Sequence, residues 1–502
     1  MNVAKRLIGN AEKYGESHAF IFRGQPVSFI QLKRSSLKLA NSLKNLGVQK
    51  GDKVAVYLPN CPQYIYAYAA LWSIGATIVP LDYMLTEEEL ASCLSHSGTK
   101  LLVTKQKTQL SLDSLKARCP DLKDIALCDQ EAGKFLSFDK LIGNGAEEEL
   151  PADIKDEDYA CIFYTSGTTG RPKGVLINYR QVGAPHLAMR HFVGLCDQDT
   201  ALCALPLSHL GGLVFLQSMI FLGSKMILME RFNPVEFLKN IQEQKVNCFW
   251  LVPPMYYAIL QLKEFEKFDL SGLKWIVVFG APSSPDQLRR FHKYCPGADF
   301  INGWGMTETQ GPSIVIPRGS TKIESIGLPA PWMEVKVFDN SDKEVPSDQI
   351  GEIVMRSWVV TDGYYKDPEA TTRIKRNGWF HTGDLGRVDR DGYFYIVGRK
   401  REMIKVGGEL VFEPEVEFAI HKHPDVAEVA VIGVADKLRG EVPKAIIAMK
   451  EGKSITDQEM RQFCKKQLAH FKIPRYFEFA PSLPKNRAGK IDKTSLRGEL
   501  NR

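Results

Sequence analysis

The chain has 502 residues, 44% of them apolar and 25% charged, with a formal net charge of +6. That length is too great for one ordinary core and predicts roughly three domain-sized units, in a composition that buries cores readily. So small a net charge, with no basic block interleaved with aromatics, gives no reason to invoke nucleic acid, and ten scattered cysteines without a C-x-x-C pair indicate neither zinc nor a disulfide framework.

Free, mostly buried thiols in a reducing cytosol are expected instead. The opening residues MNVAKRLIGNAEKYGE lack a signal-peptide core, which points to a cytoplasmic protein. SFIQLKRSSLKLANSLKNLG then shows helical apolar spacing and ends on Gly47, a suitable C-cap. DKVAVYLP reads as a strand and CPQYIYAYAALWSIG as a mostly buried helix. Two uncharged stretches, Val54 to Leu81 and Ala201 to Ser224, are interrupted by Pro59, Asn60, Pro62 and Gln63 and by Pro206, His209, Gly211, Gly212 and Gln217. Those interruptions suit buried core elements rather than a transmembrane segment. DYACIFYTSG runs from a strand into a loop, and LKWIVVFGAP is an apolar run followed by the amphipathic SPDQLRRFHKYCPG. Such alternation predicts α/β layers with parallel sheets, whose ligands collect at the C-terminal ends of strands. Near residue 400 the texture changes: hairpin signals surround Asp391 and Gly392, VAEVAVIGV and AIIAMK are strand-like, and Thr456 with Glu459 makes a capping box. A small α+β unit with its boundary within Arg399 to Lys405 is expected.

YTSGTTGRPKGV, Tyr164 to Val175, has the glycines, hydroxyls and cations of a phosphate cradle. It is not the G-x-x-x-x-G-K-[ST] loop, because Pro172 stands at the sixth position from Gly167 and Gly174 follows Lys173. LPLSHLGGL sets His209 between a proline turn and paired glycines, where a lone histidine ordinarily reads as a core residue. FGAPSS, Phe279 to Ser284, ends a strand on glycine. NGWGMTET, Asn302 to Thr309, offers an aromatic for stacking on a planar base, with Thr307 and Glu308 suited to phosphate and metal. GWFHTGDLG supplies Asp384, GRKREMIKVGG supplies Arg399, and PKNRAGK ends on Lys490. Taken singly, these carboxylates and cations read as surface charge.

In order and spacing, however, the stretches together resemble the adenylate-forming (ANL) superfamily, and within it the acyl-CoA synthetases, over essentially the whole chain. The resemblance implies a large N-terminal domain of layered α/β sheets, 1–400, with a small β-barrel-like subdomain, and a mobile α+β C-terminal domain, 401–502. It implies a ligase that consumes ATP with Mg²⁺, forms an acyl-adenylate and diphosphate, then passes the acyl group to coenzyme A with release of AMP. Thr165, Ser166, Gly167, Thr168, Thr169, Gly170 and Lys173 would hold the β- and γ-phosphates. Thr307 would meet the α-phosphate, and Glu308, with Thr168, would bind the metal. Gly280, Ala281, Pro282 and Trp304 would frame adenine, with Asp384 and Arg399 on the ribose. Lys490 would neutralise charge during adenylation, and His209 would gate the route between acyl and thiol sites. A swing at Arg401 would then replace Lys490 by Lys405, Gly407 and Gly408, which line the thiol tunnel. Trp304 stands where tyrosine is more usual and Asn486 where threonine is frequent.

The acyl pocket is expected from His209 to Leu213, Val252 to Met255, Gly280 to Pro282, and Asn302, Gly303, Trp304, Gly305 and Met306. These segments carry no Lys or Arg for a second carboxylate, and HLGGL lacks the aspartate of amino-acid-activating relatives. An apolar fatty, aryl or alicyclic monocarboxylate is expected, with Gly303 leaving room for its tail. Small-molecule acid, ATP and CoA are the expected partners, with peripheral membrane contact open and a monomer or homodimer as the assembly. The competing readings are acyl transfer to a carrier-protein thiol and a non-catalytic acyl or nucleotide sensor.

Overall fold

The parallel strands turn successive side chains to opposite faces, and both faces are apolar. In Lys53–Tyr57, Val54 and Val56 enter a central cluster while Ala55 and Tyr57 enter an outer one. In Trp275–Val278, Trp275 and Val277 join the same central cluster, and Ile276 and Val278 face a second outer one. The result is two sheets with helices between them and on both outer faces. This computed structural model describes residues 2–129, 133–150, 153–165, 173–279, 285–407, 409–485 and 491–499. The chain divides into two compact units, Met1–Glu334 with Arg356–Gly378, and Val335–Met355 with Trp379–Arg502.

In the first unit one sheet runs in the spatial order Leu136–Ser137, Asp124–Leu127, Leu101–Thr104, Lys53–Tyr57, Thr77–Leu81, Tyr159–Thr165, Lys173–Asn178. All its neighbours are parallel except the last pair. The other sheet has a parallel centre, from His18–Phe22 through Lys225–Leu228, Thr200–Cys203, Cys248–Leu251 and Trp275–Val278 to Asp299–Met306. The expected parallel α/β layers are therefore present. Helix Pro62–Ser73 fills the central layer and is buried almost all round, as a fully enclosed helix must be. Its polar tips are satisfied: the Tyr68 hydroxyl donates to the Leu207 carbonyl at 3.0 Å and the Trp72 indole to Ala160 at 3.3 Å. Both uncharged stretches fall on such strands and helices, and among the described residues no helix is long and apolar enough to cross a membrane. Helix Phe29–Asn45 starts on a Ser28–Gln31 capping box, and Gly47, at φ 85°, turns the chain just beyond its end. The ten thiols are free, and only Cys196 is exposed.

In the second unit, strands Trp379–Val388 and Phe394–Arg399 form a hairpin whose turn includes Gly392 at φ 83°. A further sheet contains Met403–Val406, Glu409–Phe412, Val426–Asp436, Gly440–Met449 and Tyr476–Phe479. Helices Glu413–His421 and Asp457–Lys465 pack on one face through Val416, Ile420, Met460 and Cys464. The second of these helices starts on the expected Thr456–Glu459 capping box. Leu483 and Leu496 cover the other face. Helix Lys493–Glu499 is tied down by charge as well: buried Glu413 accepts from Lys493 at 3.0 Å and from Arg497 at 2.7 and 2.8 Å. Removing one partner of such a group strands a buried charge, which is why it acts as a lock.

In the first unit, helix Ala184–Val193 buries His186 against the Phe221 ring, centroids 4.9 Å apart, with no hydrogen-bond partner for its Nδ1 among the described residues. Burial, then Arg6 and Arg190, push this imidazole down to about 4. The unfolded chain takes up the proton at its ordinary value while the folded chain refuses it, so stability falls as pH drops from about 6.5 towards 4. Urea unfolding at pH 7 and pH 5 should show about 2 kcal/mol more acid loss for the wild type than for His186→Asn.

Candidate active site

The phosphate-cradle segment sits at the tip of an antiparallel hairpin in the first unit. Its strands bring Thr165 directly opposite Lys173, so the intervening loop begins and ends at paired residues. Ser166, Gly167, Thr168, Thr169 and Gly170 lie outside the described residues. Below the loop, the Tyr164 hydroxyl bonds His96 Nδ1 at 2.7 Å and the Cys93 carbonyl at 3.3 Å. Burial raises the Tyr164 phenol and lowers the His96 imidazole, so both stay neutral and brace the strand.

Thr307 and Glu308 are presented by a 3₁₀ turn, Thr307–Thr309, that follows strand Asp299–Met306. The turn is closed by Thr309, whose hydroxyl oxygen receives the Met306 N–H at 3.1 Å, and by left-handed backbone at Gln310 and Gly311. A segment around Gly363 then straps the hairpin: Leu176 N–H donates to the Gly363 carbonyl at 3.0 Å and Tyr365 N–H to Gly174 at 2.7 Å. The strap also delivers Tyr364, whose hydroxyl donates to Glu308 Oε1 at 2.8 Å. Lys173 Nζ lies over the same ring, 5.0 Å from its centroid. Burial and the Glu308 carboxylate push the Tyr364 phenol well up, so it stays a donor. Among the described residues Lys173 and Glu308 form no ion pair with each other or with anything else, and the second Glu308 oxygen takes no hydrogen bond. One carboxylate without a protein cage suits Mg²⁺, which keeps waters and binds through one or two carboxylates plus phosphates. No group of three potential ligating side chains is present among the described residues.

Asn302, Gly303, Trp304, Gly305 and Met306 lie on one strand, paired with Gly311–Val315, with Trp304 half-buried opposite Ile314. The room expected at Gly303 is filled by the chain itself. A Cβ there would lie 3.1 Å from Val315 Cγ2 and 3.2 Å from Phe279 Cε2, and one at Gly305 would lie 3.2 Å from Phe279 Cζ. Phe279 therefore reaches both glycine positions with its ring, which also meets Trp250 edge-on at 4.9 Å. A glycine says that no side chain occupies a position, not which neighbour takes the vacated space. Gly280, Ala281 and Pro282 fall outside the described residues. Leu210, Val252 and Met255 pack on the central cluster that contains Leu213, Phe279 and Val315, so two of the four expected acyl segments share one apolar core.

His209 opens helix Leu210–Leu222 and is half exposed, not the core residue that its isolated pattern suggests. Its Nε2 contacts Asp82 Oδ2 at 3.2 Å, which fixes the ring plane. Gly212 is obligatory behind it, since a Cβ there would sit 2.3 Å from the Pro206 carbonyl oxygen.

In the second unit Asp384 and Arg399, expected to share the ribose, face each other across the hairpin, with Arg399 Nε 2.9 Å from Asp384 Oδ1. Asp384 is buried and Arg399 half exposed. Beside them, buried Glu352 meets His381 at 3.2 Å and Lys400 at 3.3 Å and accepts the Gly383 N–H. Burial alone would raise Glu352, but these three partners outweigh it and hold the carboxyl low. Lys405 and Gly407 are exposed, the latter at φ 59°. Gly408 and Lys490 lie outside the described residues, but Lys485 and Ile491 form a β-bridge on either side of the Lys490 segment. Sequence reasoning missed Tyr364, Asp82 and Phe279. The doubled tyrosine after Gly363 was the available signal for the first.

Residues 8–365 match the AMP-binding enzyme family and 415–490 the AMP-binding enzyme C-terminal domain. The chain is 34% identical to a feruloyl-CoA synthase of an Amycolatopsis species, over 95% of this chain and 94% of that one. It is 31% identical to a long-chain-fatty-acid–CoA ligase of Bacillus subtilis (strain 168), over 98% and 93% respectively. The O-succinylbenzoate coenzyme A synthetase of Bacillus subtilis, solved with ATP and a magnesium ion, superposes with a TM-score of 0.86 at 29% identity, covering 99% of each chain. Matched over most of its length by that family, and by acyl-CoA-forming relatives along nearly all of it, the chain belongs to the AMP-binding enzyme family of the adenylate-forming superfamily, among its acyl-CoA synthetases.

Proposed function

We propose that this chain is an AMP-forming acid–CoA ligase acting on an apolar monocarboxylate. The observation that supports it most is the convergence of Lys173, Tyr364 and Glu308 at the mouth of the loop hairpin, where a cation and a carboxylate have no ion-pair partner among the described residues. A carboxylate is a poor acyl donor because oxide would have to leave. In the first step a carboxylate oxygen attacks the α-phosphorus of ATP, the bond to the β-phosphate oxygen breaks, and diphosphate departs. The CoA sulfur then attacks the acyl carbon, and AMP leaves with the electron pair. Preorganised charge at the phosphoryl centre lowers the first barrier.

In this proposal Thr165, Ser166, Gly167, Thr168, Thr169, Gly170 and Lys173 take the β- and γ-phosphates and Thr307 the α-phosphate. Glu308, with Thr168, would hold Mg²⁺, whose charge would offset that of the phosphates. Gly280, Ala281, Pro282 and Trp304 take the adenine, and Asp384 with Arg399 the ribose. Lys490 offsets charge in the first step. Lys405, Gly407 and Gly408 accept the CoA arm in the second, and His209 lies between acyl and thiol routes. The division at 1–400 and 401–502, with a mobile C-terminal part, belongs to the same proposal. So do cytoplasmic residence, contact with a lipid surface that delivers the acid, and a monomeric or homodimeric assembly.

The acid is apolar because the described acyl segments offer no cation, and Phe279 limits its size by filling the face of Gly303 and Gly305. Phe279→Ala should raise relative kcat/KM for acids bulkier by a ring or several methylenes by about tenfold, measured on an acid panel; an unchanged ranking removes Phe279 from the pocket. Acid-dependent pyrophosphate exchange followed by mass detection of CoA thioesters tests the whole reading. Exchange without thioester would transfer the acceptor role to a carrier protein, and no exchange with any acid would leave a sensor. Lys490→Ala should abolish exchange and spare thioester formation from supplied acyl-AMP, whereas equal loss of both half-reactions contradicts alternation of the C-terminal part.

A further inference from the structure

A lysine and a carboxylate brought to one loop mouth have a strong reason to neutralise each other. Two unit charges about 4 Å apart at an effective dielectric near 20 attract by about 4 kcal/mol. Lys173 and Glu308 do not do so, and Tyr364 is the group that each of them meets instead. Its ring face receives the ammonium at 5.0 Å and its hydroxyl donates to Glu308 Oε1 at 2.8 Å. The tyrosine has little freedom to yield. Val175 and Tyr364 form a β-bridge, the Tyr364 N–H donates to Thr371 Oγ1 at 2.9 Å, and the Thr361 N–H binds the Glu308 carbonyl at 2.7 Å. Strap, hairpin and turn are thus joined by backbone on both sides of this one side chain.

We infer that Tyr364 is a positioning residue: it holds Lys173 away from Glu308, so the ammonium stays available to phosphate, and orients the carboxylate so its second oxygen stays available to a divalent cation. The inference rests on the reading of Glu308 as the metal carboxylate and Lys173 as a phosphate ligand. The hydroxyl does not touch the reacting atoms. Its work is to occupy one carboxylate oxygen with a neutral donor and to put an aromatic face where an ion pair would otherwise form. A merely structural tyrosine would alter stability, not metal affinity.

The test uses Mn²⁺ as a paramagnetic probe and α,β-methylene ATP, in which the bond broken in adenylation is replaced by a stable one. Titration followed by electron paramagnetic resonance gives the affinity of the full chain for Mn²⁺ with the analogue present. Tyr364→Phe, which keeps the ring under Lys173, should weaken Mn²⁺ by about tenfold, the size expected for losing a hydrogen bond to a charged group. Analogue affinity without metal should be nearly unchanged, and the KM for Mg²⁺ should rise while kcat recovers at high Mg²⁺. Tyr364→Leu should weaken the analogue as well, because nothing then keeps ammonium and carboxylate apart. Tyr365→Phe, whose hydroxyl donates to the Ser97 carbonyl at 3.3 Å from the same strap, should leave Mn²⁺ affinity at the wild-type value. Wild-type Mn²⁺ affinity in Tyr364→Phe, an equal loss in Tyr365→Phe, or undiminished Mn²⁺ affinity in Glu308→Gln would each overturn the inference. Should the wild type show no acid-dependent exchange while Mn²⁺ affinity still depends on Tyr364, the ligase reading fails and the role of Tyr364 stands.

Discussion

The aromatic ring between Lys173 and Glu308 states the constraint on which the rest of this fold depends. Opposite charges meet the same tyrosine here without pairing with each other, and no local stretch of chain can arrange that. Lys173 begins a strand of one sheet, Glu308 follows a strand of the other, and Tyr364 arrives from a third segment. Only a rigid platform holds three such groups to a fraction of an ångström. The layered first unit provides it, because close-packed helices between two sheets leave neither sheet free to slide. The buried helix Pro62–Ser73 contributes directly, with hydroxyl and indole tips bonded to carbonyls of both sheets' loops and strands.

Most of that platform was legible in the sequence, for a physical reason. Alternating apolar strands, capping boxes at Ser28–Gln31 and Thr456–Glu459, and the glycine after Asp391 act over a few residues, so a short window contains the whole signal. The candidate site was legible only where its residues fall in one run, as in the turn that carries Thr307 and Glu308. Tyr364 reaches Glu308 across 56 positions, and Asp82 reaches His209 across 127. The doubled tyrosine after Gly363 marks a segment but not the partner it reaches, and an aspartate after a strand carries no mark at all.

Gly303 shows a different failure. Reading it as open space treated the absence of a side chain as a cavity, yet close packing fills such absences wherever a neighbour can reach. Phe279 follows the last residue of the adjacent strand Trp275–Val278, and its ring reaches the positions where Gly303 and Gly305 lack a Cβ. Gly303 thus lies against the ring, whereas Gly305 is required first by the Gly311 carbonyl oxygen, 1.8 Å from where its Cβ would be.

The second unit applies the same economy to motion. Arg399 is paired with buried Asp384 and Lys400 with buried Glu352, so the chain is fastened to its hairpin up to the residue before the proposed hinge at Arg401. Two residues later Met403 begins a strand that belongs to another sheet. A rotation between those attachments has few dihedrals to use, which confines it to the short 3₁₀ turn Lys400–Glu402. The anchors also separate two demands on neighbouring cations. Arg399 stays half exposed beside Asp384 while Lys400 neutralises a buried carboxylate, so the proposed turn about Arg401 would leave the Asp384–Arg399 pair undisturbed.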